Sequence, residues 1–216
     1  MFKNKPYFIV FEGIEGCGKS YQSKKLFKKL SIRGIKSVLT REPGGTFTAE
    51  TIRKLLLKDY FLKDKQKNFD RYTDTLLYLA ARNEHVKNKI KPALDAKKIV
   101  ICDRFTDSTI SYQVYGKKVK KSFVDNIHKV ILNNIKPDLT FILKVSIQSS
   151  RNRLKKRKQN NRYDNFSNRF YQKAQKDFLK LSKNKKNYII LESSKNDNSL
   201  EKKILSIVLK KIGKKN

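Results

Sequence analysis

Five short apolar runs punctuate the chain: YFIVF (7–11), SVLT (37–40), IVIC (99–102), LTFILKV (139–145) and YIIL (188–191). They are rich in β-branched and aromatic residues and show little polar alternation, the pattern of strands buried on both faces. Between them, apolar positions recur three and four apart, as with Leu26, Phe27 and Leu30. This spacing predicts helices over 19–33, about 49–57, 70–89, 122–135, 147–158, 166–182 and 199–212. Gly34 stops the first helix, and Ser199 with Glu201 in the first turn starts the last. Strands alternating with helices predict an α/β fold, a parallel sheet covered by helices on both faces. No internal repeat and no stretch rich in Pro, Gly or Ser divides the chain. A single domain over 1–216 is expected, long enough to bury a sizeable core.

Composition narrows the setting. Two cysteines, Cys17 and Cys102, cannot build a disulfide framework, so a reducing compartment is expected. The basic tip MFKNKPYFIVF carries too short an apolar run for a signal peptide, and no segment approaches the roughly 18 apolar residues that span a membrane. A cytoplasmic protein without membrane partners is expected. Charge raises a separate question, because 52 Lys+Arg against 19 Asp+Glu give a formal net charge of +33. Phosphate contacts with nucleic acid are one explanation. The basic runs KDKQKN, SKNKK and KKIGKKN are dispersed over loops and the terminus, without interleaved aromatics, so a solvated surface is favoured over a nucleic-acid partner.

Between the first strand and first helix stands GIEGCGKS, Gly13 to Ser20. It fits G-x-x-x-x-G-K-[ST], the phosphate-binding loop, which a chain of this length matches by chance with a probability on the order of one in a hundred. Glycines let successive backbone N–H groups converge on phosphate oxygens, and the following helix adds its positive end. The loop residues Gly13, Ile14, Glu15, Gly16, Cys17 and Gly18 would cradle ATP. Lys19 would reach its β- and γ-phosphates, and the Ser20 hydroxyl would hold Mg²⁺. The third strand ends in CDR, where Asp103 could hold the metal through water and Arg104 could grip a second phosphate at the sheet edge where α/β proteins bind ligands.

TREPGGT (40–46), LLYLAAR (76–82) and RFTDSTISYQ (104–113) together resemble the thymidylate kinases, which phosphorylate dTMP with ATP; the resemblance runs from Phe8 to the last helix. It implies a P-loop NTPase-type fold, a five-stranded parallel sheet with helices on both faces and a mobile lid, and a likeness to the bacterial type with its catalytic arginine in the lid. It also implies that Glu12 meets the 3′-hydroxyl of the deoxyribose. Arg41, Arg53 and Arg104 would hold the monophosphate, as guanidinium forks suit. Tyr78, where the family has Phe, would stack on thymine, and Arg82 on the same helix face would donate to its O4. Ser108, Thr109 and Gln113 would address the substrate, and Tyr112 would crowd a ribose 2′-hydroxyl. His85 and His128 have no companion ligands and are read as structural. The segment 151–165, RNRLKKRKQNNRYDN, is read as the lid. Gly16 leaves the phosphate loop without an arginine, so Arg157, or Arg153 after it, is assigned to catalysis beside Lys19 and Arg104. The resemblance further implies a homodimer. Two rival functions are a kinase for another nucleoside monophosphate and a nucleic-acid-dependent ATPase.

Overall fold

A computed structural model describes residues 5–57, 69–157, 163–164, 166–195 and 198–213. The basic run KDKQKN and lid positions 158–162 and 165 lie outside the described residues. The elements follow in the order β1 (Tyr7–Glu12), α1 (Lys19–Ser31), β2 (Ser37–Arg41), α2 (Phe47–Leu57), α3 (Arg71–His85), α4 (Lys91–Asp95), β3 (Ile99–Asp103), α5 (Thr106–Thr109), α6 (Lys121–Ile131), β4 (Leu139–Lys144), α7 (Ile147–Lys155), α8 (Asn168–Ser182), β5 (Tyr188–Glu192) and α9 (Ser199–Gly213). Wide π-type turns over Val86–Ile90 and Ile110–Gly116 extend α3 into α4 and prolong α5.

All five strands are parallel, in the order β2-β3-β1-β4-β5, so the expected sheet is present. Alternate residues of β1 divide between its faces, as the strand period requires. Ile9 and Phe11 join Leu26 and Leu30 of α1 with Ile204 and Val208 of α9. Phe8 and Val10 instead join Val86, Ile90 and Ala93. Register brings Phe11 and Arg41 level with Asp103 on either side of β3, so the carboxyl ends of three strands finish together. Ligands of open α/β sheets bind at that edge.

Helix ends depart from the periodicity. The helix expected to run to 135 stops at Ile131, and Asn133 and Asn134 then take left-handed backbone at φ 44 and 64. The helical stretch 106–116 was not among the predicted helices, because TDSTISYQ carries no apolar period of 3.6.

Candidate active site

The phosphate loop leaves β1 at Gly13, whose φ of 138 suits glycine alone; a Cβ there would lie 2.6 Å from the Leu143 carbonyl oxygen. Gly18, at φ 94, starts α1 without a side-chain cap, whereas Asp70, Ser146 and Ser167 cap α3, α7 and α8. The first N–H groups of α1 therefore have no competing side-chain acceptor, the arrangement an anion uses. Lys19 folds back over the loop, donating to the Gly13 carbonyl at 3.0 Å and that of Ile14 at 2.8 Å. The Ser20 hydroxyl donates to the Asp103 carboxylate from the neighbouring strand. Two hard oxygens so placed fit Mg²⁺, which typically takes one or two protein oxygens and completes its shell with water and phosphate.

From this loop a cleft opens along the sheet edge. Of the residues selected from sequence, it is lined by Glu15, Lys19, Ser20, Arg41, Arg53, Tyr78, Arg82, Asp103, Arg104, Ser108, Thr109, Tyr112, Gln113 and Arg157. The ends of β2 and β3, the loop after β1 and helices distant in sequence thus converge on one site. Arg104 has left-handed backbone, φ 74, and its guanidinium bonds Gly13 O at 3.1 Å, Ser108 Oγ at 2.8 Å and Glu15 Oε1 at 2.7 Å. Burial alone would lower its pKa, but Tyr112, Glu15, Glu12 and Asp103 around it raise it well above the ordinary value, so it stays charged. Arg53 donates to the Pro43 carbonyl at 2.6 Å; burial first, then the nearby Arg41, lowers its pKa. Arg41 pairs with Glu50 at 3.0 Å.

Two acidic residues exchange places relative to the sequence reading. Glu12, expected at the sugar, is buried and does not line the cleft. Its Oε1 accepts from Phe105 N at 2.8 Å and Ser108 N at 3.2 Å, and its Oε2 from Ser108 Oγ at 2.6 Å, so it fastens the loop after β3 to β1. Burial, with the Asp107 charge nearby, pushes its pKa up to about 7. Glu15, read only as a loop member, does line the cleft, with Glu42 and Asp103, and it accepts from the Tyr112 hydroxyl at 2.7 Å. The alternation of β1 carried a signal for this: Glu12 falls on the same face as Phe8 and Val10.

Arg82 is 3% exposed and makes four hydrogen bonds inside the protein, to Glu42 through Nε at 2.7 Å, Thr109 at 2.8 Å, His128 at 2.7 Å and the Phe105 carbonyl at 3.0 Å, and a terminal nitrogen pairs with Glu42 at 2.7 Å. Donation to a base would require one of these to be released. Glu42 also faces His85 at 3.1 Å, and His85 reaches Thr40 at 2.6 Å. Both histidines are therefore members of a buried network. Burial, then Arg82, brings the His128 pKa down to about 3, consistent with a neutral ring accepting from the guanidinium. Glu42, Pro43, Leu57, Phe105 and Tyr163 line the cleft without having been selected from sequence.

The two lid arginines separate. Arg157 lines the cleft and pairs with Asp164 at 3.1 Å. Arg153 points elsewhere: it donates to the Gly16 carbonyl at 3.2 Å and to those of Ser193 at 2.7 Å and Ser194 at 3.2 Å. It joins the phosphate loop to the segment after β5. Among the described residues, no helix is long and apolar enough to cross a membrane.

Comparison with known proteins places these features in company. The family model described as thymidylate kinase matches residues 11–204. The thymidylate kinase of Wolbachia pipientis subsp. Culex pipiens is 43% identical over 212 residues, covering 94% of this chain and 96% of the relative. That of Mycoplasma capricolum is 36% identical, with 95% of each chain covered. The crystal structure of thymidylate kinase from Ehrlichia chaffeensis superposes with a TM-score of 0.73 at 32% identity, covering 94% of this chain and 99% of that one.

Proposed function

The chain belongs to the thymidylate kinase family and transfers the γ-phosphoryl group of ATP to dTMP, giving dTDP and ADP, and from that premise we propose how its cleft divides the work. The observation that carries this division is the set of groups the cleft brings together: Lys19 and Ser20 with Asp103, Arg104 with Arg53, and Tyr78 with Thr109 and Gln113. ATP phosphates occupy the glycine loop under Lys19. Ser20 and Asp103 would hold Mg²⁺, which would neutralise phosphate charge there. Arg104 and Arg53, with Arg41 at the rim, hold the dTMP phosphate facing the donor. Tyr78 stacks on thymine, and Thr109 addresses its edge, with Arg82 behind it. Glu15, rather than Glu12, meets the sugar beside Tyr112, whose ring leaves no room for a 2′-hydroxyl.

Phosphoryl transfer needs little covalent help from protein groups, so rate comes from alignment and from neutralising charge. Lys19 and Arg104 supply fixed charge, and Arg157 adds a guanidinium from the lid. The domain is read as a single nucleoside monophosphate kinase unit over 1–216, cytoplasmic and homodimeric. Exposed Leu55 on α2, Leu76 on α3 and Val130 on α6, with α2 and α6 each packed against α3, support the dimer.

A panel of nucleoside monophosphates with ADP release as the readout tests the assignment. Turnover is expected to be highest with dTMP and poor with ribo-TMP, and excess DNA is expected not to stimulate ATP hydrolysis. Equal use of both sugars would remove the role given to Tyr112.

A further inference from the structure

Arg104 follows β3 with left-handed backbone, φ 74, which a residue with a side chain holds only where its surroundings fix it. The peptide groups on either side of it are tied to successive residues of β1. Arg104 N donates to the Phe11 carbonyl at 2.9 Å, and Phe105 N donates to Glu12 Oε1 at 2.8 Å. Phe105 precedes α5 without a side-chain cap, and Glu12 Oε1 also accepts from Ser108 N in that first turn at 3.2 Å. A carboxylate sent from the strand therefore does the work of the missing cap. Its other oxygen accepts from the Ser108 hydroxyl at 2.6 Å, and the same Ser108 oxygen accepts from Arg104 Nη1 at 2.8 Å. A hydroxyl has one proton to give. With that proton committed to Glu12, Ser108 presents lone pairs to the guanidinium. Glu12 itself is 1% exposed and lies outside the cleft lining.

We infer that Glu12 is a positioning residue: through Ser108 it aims the Arg104 guanidinium, and so sets the hold on the dTMP phosphate without touching the substrate. The inference rests on the dTMP kinase assignment above and on the place it gives Arg104. A guanidinium grips phosphate with a planar fork, so its orientation matters as much as its charge. Nη1 bonds the Gly13 carbonyl and Ser108, and Nη2 bonds Glu15, which fixes the fork from both ends. Glutamine at position 12 would keep an oxygen for the two backbone N–H groups but turn an amide N–H₂ towards Ser108. Ser108 would then meet donors from both sides, its own proton would lose its acceptor, and the bond that aims Arg104 would weaken.

The test compares the parent with Glu12→Gln, Ser108→Ala and the double variant. Calorimetry measures the affinity for dTMP and for thymidine, the acceptor without its phosphate, and steady-state kinetics gives the KM for ATP. Measurements at about pH 8 keep Glu12, whose pKa is about 7, as a carboxylate. Glu12→Gln is expected to weaken dTMP about tenfold, with thymidine affinity and the KM for ATP each within about twofold of the parent. Ser108→Ala should weaken dTMP a few-fold. The double variant should be no weaker than the worse single, because Glu12 acts through that hydroxyl. Equal losses for dTMP and thymidine in Glu12→Gln would make Glu12 a general structural residue and overturn the inference, as would fully additive losses in the double variant. Parent-like dTMP affinity in Ser108→Ala would overturn it even if Glu12→Gln fails to fold. A parent that binds no dTMP would overturn the assignment and the inference together.

Discussion

Arg82 illustrates why a residue's neighbours decide its role. Its helix spacing from Tyr78 suggests two side chains side by side at the base, but spacing does not reveal that its donors are already satisfied by Glu42, Thr109, His128 and Phe105. Burial alone would raise the Glu42 pKa, and the Arg82 charge, with a bond from His85, holds it below the ordinary range. Removing the guanidinium strands a buried carboxylate, which typically costs about 3–5 kcal/mol. Arg82→Ala should therefore unfold at markedly lower denaturant, as well as losing activity. A variant with parental stability and weakened dTMP binding alone would return Arg82 to the base. Glu12 makes the same point through pH. Its folded pKa of about 7 exceeds the usual glutamate value, so the folded protein holds this proton more tightly than the unfolded chain. The stabilising contribution is fully present below the unfolded pKa and is lost as pH rises through about 7. Glu12→Gln removes that titration while retaining an amide oxygen to accept from Phe105 and Ser108. Denaturant melts at about pH 5 and pH 8 should show the parent losing on the order of 3 kcal/mol more than Glu12→Gln across that interval.

Among the elements, those whose burial repeats regularly were legible. The five apolar runs became the five strands to within a residue or so, because a strand covered on both faces must be apolar throughout. The segment 106–116 escaped because its buried positions mix polar Asp107, Ser108, Thr109, Ser111 and Gln113 with apolar Ile110, Tyr112 and Val114, so no apolar stripe marks its inner face. The lid is legible as a charged segment, but which arginine faces the cleft depends on how α7 meets the phosphate loop. The Ser150 hydroxyl donates to the Glu15 carbonyl at 2.8 Å and fixes that junction. Arg153 then sits over Gly16, and Arg157, beyond the helix end, reaches the cleft. The two should fail differently. Arginine fingers contribute about 10³–10⁵ to kcat, and with lysines beside it Arg157→Met should lower kcat roughly 10²-fold or more at nearly unchanged dTMP affinity. Arg153→Met, which releases carbonyls of the phosphate loop and the segment after β5, should chiefly raise the KM for ATP. Steady-state kinetics with both substrates would separate them, and a kcat within a few-fold of the parent for both would leave the transferring charge to Lys19, Arg104 and the metal.

For the whole molecule, the dominant quantity is a formal charge of +33. All 19 acidic residues are already counted in that value, so ion pairs such as Lys91–Asp95 and Lys121–Asp125 leave it unchanged, and at their exposed positions each contributes little. Two such chains meeting through α2, α3 and α6 must bring their uncompensated charge together. Apolar contact at Leu55, Leu76 and Val130, which are 40%, 47% and 77% exposed, favours association, and Coulomb repulsion opposes it. The first term is nearly indifferent to moderate salt. The second is screened over a Debye length of about 30 Å at 0.01 M salt but about 8 Å at 0.15 M. Association should therefore strengthen as salt rises, opposite to a dimer held by complementary charges. Sedimentation equilibrium should find more of the 25.4 kDa monomer at about 0.01 M salt and mostly dimer at about 0.15 M. Val130→Asp and Leu76→Asp should shift that balance towards monomer at every salt concentration. A chain that stays monomeric from low to physiological salt has no use for this face as a homodimer contact, and the dimer would then be withdrawn.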